Sequence, residues 1–486
     1  MSTAILELEP NALWKHFYCL TQIPRPSGHE EAVRAYVADV AKRCGLEWLV
    51  DEAGNVIVRK PATAGMEQLR GVILQAHLDM VPQKNAGTAH DFATDPIDAV
   101  IDGEWVRARG TTLGADNGIG VAAMLAVLES DALRHGPLEA LCTANEEAGM
   151  TGALGLEPGV LNGQILLNLD SEDEGELFIG CAGGLDGTMR FDYTGDPVPL
   201  GYIGVEIRVS GLRGGHSGMD INLGRGNANK IMNRLLQMGR DRHGLLLASI
   251  DGGSLRNAIP RESSALCAVP SADKAAFLDE LQAFAGTIGG ELAGADPGLR
   301  VDAAEAALPA AVIDGAVTQR LFDAVAACPN GVHRMSAEMA GLVESSNNLA
   351  RVHSDGNAVT VECLLRSASE EGMHELADMI GGVAERAGTV AMFEHGYPGW
   401  KPNPESPILK CMIEVYHARF GKTPEIRAVH AGLECGIIGA AYPQLDMISF
   451  GPTIRHPHSP DEKVECASVL KFWNFLAATL EEVPKP

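Results

Sequence analysis

The chain has 486 residues, of which 46% are hydrophobic and 21% charged, and a formal net charge of −26. That length exceeds one ordinary core and the composition is that of a folded protein, so two or three domains are expected and disorder is excluded. The acidic balance argues against a nucleic-acid partner or an anionic membrane surface, both of which need basic patches, and it suits a site that gathers divalent cations.

The amino terminus, Met-Ser-Thr-Ala-Ile-Leu-Glu-Leu-Glu, lacks the basic-then-apolar pattern of a signal peptide, and no apolar run approaches a bilayer span. The ten cysteines include no Cys-x-x-Cys pair, which speaks against a disulfide framework and a thiolate zinc site. The expectation is a cytoplasmic protein with reduced thiols.

In chain order, residues 10–44 predict two helices, with Leu13, Phe17 and Leu20 on one face and Val33, Tyr36, Val37 and Val40 on another. Pro24-Arg-Pro-Ser-Gly28 separates them, and Ser27 or Gly28 is expected to open the second helix. Strand-like residues 47–50 and 55–59 flank a turn at 51–54. An apolar strand begins at Val72 and ends in His77 and Asp79, which point the same way on an extended backbone. The glycine-rich stretch 110–120 lacks the Gly-Lys-Ser/Thr of a phosphate loop, and its expected job is to present Asp116, steadied by Asn117.

Strand 138–143 ends in Asn145-Glu146-Glu147, and strand 164–169 ends in Asp170-Ser-Glu172. From about residue 186 alternating strands and helices predict an antiparallel sheet backed by helices. The Pro- and Gly-rich segment 396–404 reads as the return linker, with Tyr397 and Trp400 packing it. A helix at 407–420, His430-Ala-Gly-Leu-Glu-Cys-Gly436, a strand at 446–450, the loop carrying His456 and His458, and a last helix at 467–480 resume the first style.

The pattern predicts an α/β domain of residues 1–185 and 397–486, with a mixed, largely parallel sheet flanked by helices. An α+β domain of residues 186–396 interrupts it. Open α/β sheets carry their chemistry at the carboxyl ends of the strands. Those ends supply His77, Asp116, Glu147, Asp170 and His458, with Asp79 and Glu146 beside them. Two histidines and three carboxylates suit Zn²⁺, Mn²⁺ or Co²⁺ better than Ca²⁺. Two such ions need a bridging carboxylate, and Asp116 on its glycine-flexed loop is the natural one. One of Glu146 and Glu147 could carry a proton while its neighbour ligates. His430, His456 and Glu434 are expected to be structural.

Together, His77-Leu-Asp79, Gly114-Ala-Asp116-Asn-Gly, Asn145-Glu146-Glu147-Ala-Gly, the Asp170-Ser-Glu172 strand end, Gly214-Gly-His216-Ser-Gly218 and Gly451-Pro through His458-Ser-Pro resemble the M20 family of di-zinc metallopeptidases, in its aminoacyl-histidine dipeptidase branch. The likeness runs essentially end to end. It implies two Zn²⁺ per subunit, with Mn²⁺ or Co²⁺ as substitutes: His77 and Asp170 on one ion, Glu147 and His458 on the other, Asp116 bridging. It implies broad hydrolysis of dipeptides, including Xaa-His, by a water held between the metals, with Glu146 as general base and acid and Asp79 orienting His77. It further implies that His216 holds the scissile carbonyl, from its own or the partner subunit. Asn257 and Arg366 would read the substrate carboxylate, and the inserted domain would act as lid and homodimer interface. The alternatives are an N-acyl amino acid deacylase or carboxypeptidase of the same superfamily, or a non-catalytic metal-binding protein.

Overall fold

The computed structural model describes residues 3–485. The chain forms two compact units, one of residues 3–180, 402–428 and 433–485, the other of residues 181–401 and 429–432.

The first unit is built on a mixed sheet in the order Glu47–Val50, Val56–Lys60, Leu138–Thr143, Val72–His77, Ile165–Asn168, Asp446–Ser449, Glu176–Cys181 and Glu425–Val429. Its middle runs parallel from Leu138–Thr143 through Val72–His77 and Ile165–Asn168 to Asp446–Ser449; Val56–Lys60 pairs antiparallel with both Leu138–Thr143 and Glu47–Val50, and Glu176–Cys181 antiparallel with Asp446–Ser449. Every residue of Val72–His77, Leu138–Thr143 and Ile165–Asn168 is buried, as expected of parallel strands covered on both faces. Helix Ala115–Glu129 is apolar nearly all round, buries almost its whole length, and packs on Val72–His77 and helix Asn11–Thr21.

The expected pair of amino-terminal helices forms as Asn11–Thr21 and Glu31–Arg43. The second starts later than Ser27 or Gly28, because Ser27 spends its hydroxyl on Asp79 instead of a helix cap. Strands Ala99–Asp102 and Trp105–Ala108 join Ile454–Arg455 and Lys463–Glu465 in a separate small sheet that the sequence pattern did not predict as such.

The second unit is an antiparallel sheet whose main path runs Arg300–Ala306, Tyr202–Ser210, Ser263–Pro270, Leu246–Gly252, Val343–Ser354, Ala358–Ser367, Gly183–Asp192 and Ala391–Tyr397. Val205, Ile207 and Val209 alternate with exposed residues, as a strand with one covered face requires. That face shares a core with Leu235 of helix Ala228–His243, Phe277 of Lys274–Glu291, Leu321 of Gly315–Ala327 and Ile380 of Glu370–Arg386. The fold is therefore an α/β unit interrupted by an α+β unit. Among the described residues the cysteines form no disulfide, and no helix is long and apolar enough to cross a membrane.

Candidate metal centre

Register brings the site together. His77 lies opposite Thr143, and Gln75 lies opposite Asn168, which in turn faces Ser449. The loops that follow these strands therefore leave one edge of the sheet at nearly one level. They deliver His77 and Asp79, Glu146 and Glu147, Asp170, and His458.

Asp116 sits at the centre of the cluster. Its Oδ1 is 3.0 Å from His77 Nε2 and its Oδ2 is 3.2 Å from His458 Nε2, so the carboxylate faces both imidazoles. His77 Nε2 is also 3.4 Å from Asp170 Oδ1, and His458 Nε2 is 3.1 Å from Glu147 Oε1. Donor atoms of His77, Asp116 and Glu147 lie within 4.8 Å of one another. Glu147 Oε1 is buried and accepts no hydrogen bond. Convergent imidazole and carboxylate lone pairs, one of them orphaned, fit a pair of borderline-hard divalent cations.

The charges crowd one another. Burial raises the Glu146 carboxyl well above its usual range, opposed by His77 and reinforced by Asp170, Glu434 and Glu147. Burial likewise pushes Asp170 up to about 6, with Asp116 and Glu147 adding to it against the pull of His77. It pushes Glu172 up to about 8, with Asp116 and Asp170 adding. The hydrogen bond to Asp116 and the neighbouring Glu147 carboxylate raise His458 to about 11. Burial opposes ionisation of Asp116, yet His458 and His77 hold it far below the usual carboxylate range. Such a cluster gains from bound positive charge.

Asp79 is fully buried and serves several groups. His77 Nδ1 is 3.3 Å from its Oδ1, Ser27 Oγ donates to its Oδ2 at 2.8 Å, and the Glu146 and Glu147 amides donate to it at 3.0 and 3.2 Å. Burial opposes its charge, but His77, Ser27 and the Glu146 amide hold it ionised down to about 2. It thus fixes both the imidazole and the turn that carries the two glutamates. Asn117 donates to Asp170 Oδ1 while its own Oδ1 accepts from the Gly120 amide at 3.1 Å. His458 holds a left-handed backbone with φ 58°, a conformation a non-glycine residue keeps only where its surroundings enforce it.

Glu462 was not singled out from the sequence. It is buried, and its oxygens accept from the amides of Leu113, Gly114, Ala115 and Asp116 at 2.7, 2.9, 2.7 and 3.2 Å. Beneath the same loop, the buried Arg25 donates to the carbonyls of Leu78, Asp79 and Gly114. Together they fix the backbone that aims Asp116. Glu462→Gln keeps the shape but turns one acceptor oxygen into a donor facing two of those amides. The expected result is metal binding weakened by about 10–100-fold, measured by competition with a chelating dye. Glu434 was expected to be structural, and it is buried in a polar cluster, accepting from Gln75 Nε2 and Thr143 Oγ1 at 2.7 Å each.

His216, Asn257 and Arg366 belong to the second unit. His216 Nδ1 accepts from the Gly218 and Met219 amides at 3.1 and 3.0 Å. That assigns the proton to Nε2 and leaves this nitrogen to donate. Burial and the nearby Arg366 lower the His216 imidazole, which favours the neutral form. Asn257 is exposed, and its carbonyl accepts from the Ser217 amide at 2.8 Å. Arg366 is buried and donates to Ser217 Oγ and Tyr397 Oη, each at 3.2 Å.

Comparison with known proteins now decides the family, because the family described as Peptidase family M20/M25/M40 matches residues 73–482. The chain belongs to this peptidase family. This M20 member is 45% identical to the cytosol non-specific dipeptidase of Escherichia coli (strain K12) over 479 residues, covering 98% of this chain and 99% of that one. Its structure is similar to that of the aminoacylhistidine dipeptidase from Vibrio alginolyticus, with TM-score 0.93 and 49% identity over 99% of this chain and 98% of the other. Aminopeptidase PepT from Bacillus cereus ATCC 10987 shares the fold at TM-score 0.61 and 16% identity, over 98% of this chain and 99% of that one.

Proposed function

We propose that this M20 peptidase is a cytoplasmic, metal-dependent dipeptidase of broad specificity whose substrates include Xaa-His dipeptides. The observation that carries the reading is the near end-to-end match to proteins named as a non-specific dipeptidase and an aminoacylhistidine dipeptidase. The acceptor-rich cluster around Asp116 supports the metal dependence.

In this reading His77 and Asp170 would hold one ion and Glu147 and His458 a second, with Asp116 available to both. Zn²⁺ is the proposed metal, and Mn²⁺ or Co²⁺ would suit the same donors. The chemistry that bound ions supply is activation of water and polarisation of the peptide carbonyl. Glu146 takes the proton of the attacking water and delivers it to the departing amine nitrogen, a task that suits a carboxyl whose affinity for protons is raised. Asp79 keeps His77 oriented with Nε2 toward the cluster. His216, its tautomer set by two backbone amides, donates Nε2–H to the carbonyl oxygen as negative charge grows there. Asn257 and Arg366 read the substrate carboxylate, and the second unit serves as lid and as the interface of a homodimer.

The test is a panel of one dipeptide, its tripeptide extension and its N-acyl amino acid counterpart on the purified protein. Dipeptide turnover far ahead of the others is the expected outcome. Preference for the N-acyl compound would make the protein a deacylase, preference for the tripeptide a carboxypeptidase, and silence on all three a non-catalytic metal binder.

A further inference from the structure

Arg366 lacks a counter-charge. It is 4% exposed, and among the described residues no carboxylate lies within ion-pair distance of it. Its neighbour in the same unit, Arg256, by contrast faces Asp186 and Glu362 at 3.4 and 3.7 Å. A guanidinium carries five N–H donors, and among the described residues two neutral hydroxyls, and no charged group, accept from them. Leaving a buried cation so poorly matched is costly unless an anion completes it. Its field reaches the nearby imidazoles: burial is the larger cause, but Arg366 adds to the lowering of His216 and of His430, which falls to about 3.

Sheet register explains how Tyr397 reaches this cation. Gly184 pairs with Arg366 on one side and with Tyr397 on the other, while Ser346 pairs with Arg366 from the next strand. Residues directly opposite share a face, so Ser346, Arg366, Gly184 and Tyr397 form one row across the sheet. Arg366 and Tyr397 stand two strands apart, about 10 Å by the usual strand spacing, too far for a phenol to meet a guanidinium over an ordinary side chain. Glycine at 184 clears the path. A Cβ there would come within 2.6 Å of the Tyr397 ring and 2.7 Å of its hydroxyl, and one on Gly432 would come within 2.9 Å of the ring from elsewhere. Tyr397 therefore lies in a slot made by two missing side chains, with its oxygen on Arg366 Nη1. At the row's other end, Ser346 Oγ is 2.7 Å from His430 Nε2.

The phenol accepts from Arg366, and among the described residues nothing accepts its own proton. We infer that Tyr397 is a specificity-determining residue: it holds Arg366 in place and offers its O–H to the same substrate carboxylate. This role replaces the linker-packing one expected from the sequence, and it rests on the reading that Arg366 recognises a free carboxylate.

The experiment compares an Xaa-His dipeptide with its carboxyl-terminal amide, using the metal-loaded protein and the variants Tyr397→Phe and Arg366→Gln. The ratio of kcat/KM for the two compounds does not depend on how much of a variant folds, which removes stability from the answer. Tyr397→Phe keeps the ring in its slot and is expected to lower the ratio about tenfold, the size of one hydrogen bond involving a charged group, mainly through KM for the dipeptide. Arg366→Gln should lower it further. A Tyr397→Phe ratio equal to wild type, while Arg366→Gln loses discrimination, would overturn the role of Tyr397 and leave carboxylate reading intact. An unaltered ratio in Arg366→Gln would remove the carboxylate reading and this inference with it. Equal losses on both compounds in Tyr397→Phe would mark the hydroxyl as structural only and overturn the inference.

Discussion

Glu146→Ala is expected to lose dipeptide turnover by about 10²–10⁴-fold, the range for removing a positioned proton carrier, while binding the same number of metal ions as the wild type. The reason is a division of labour between adjacent residues. Glu147 Oε1 faces His458 Nε2 within the cluster, whereas none of the ion pairs among the described residues involves Glu146. Burial nevertheless raises its carboxyl, as does the negative field of Asp170, Glu434 and Glu147, so its proton affinity is tuned for transfer. The Glu146 amide still donates to Asp79 after the side chain is cut back to alanine, so the turn should survive. The comparison variant Glu147→Ala should instead lose metal. Metal content measured beside steady-state rates separates the two effects, and a Glu146→Ala enzyme with full activity would remove Glu146 from the mechanism.

The second large effect concerns the metals. Chelation is expected to abolish hydrolysis, and Zn²⁺, Mn²⁺ or Co²⁺ to restore it, because bound ions would supply the activation of water on which the proposed reaction depends. Metal removal should also raise the burden of buried negative charge there. Among the described residues, Asp116, Glu147 and Asp170 would then face His77 and His458 as ion-pair partners, with the buried Arg25 nearby. The metal-free protein should therefore unfold at a lower temperature than the loaded one, since an ion that binds only the folded state stabilises it by mass action.

Much of this site was legible in the chain because its parts are side chains at strand ends. The apolar run Val72–Leu74 fixes a buried strand, period-two geometry sends His77 and Asp79 the same way, and acidic residues recur after the strands 138–143 and 164–169. Register, which sequence patterns do not specify for parallel strands, then sets them at one level. The supporting groups were harder to see for definite reasons. Glu462 acts on backbone amides, which leave no trace in the pattern of side chains. Ser27 looked like a helix opener and instead bonds to Asp79, far along the chain. Tyr397 sat in a Pro- and Gly-rich segment that suggested a linker, and its partner is reached only across a glycine two strands away. Glycine at 184 carried the signal, but only the pairing of three strands reveals it.

The most direct measurement titrates Zn²⁺ into chelated protein while following metal bound per chain and dipeptide hydrolysis in the same sample. Activity that is absent without metal and rises to its limit as two ions bind per chain is the predicted result. Undiminished hydrolysis by the metal-free protein, or binding of two ions with no hydrolysis of any dipeptide, would contradict it.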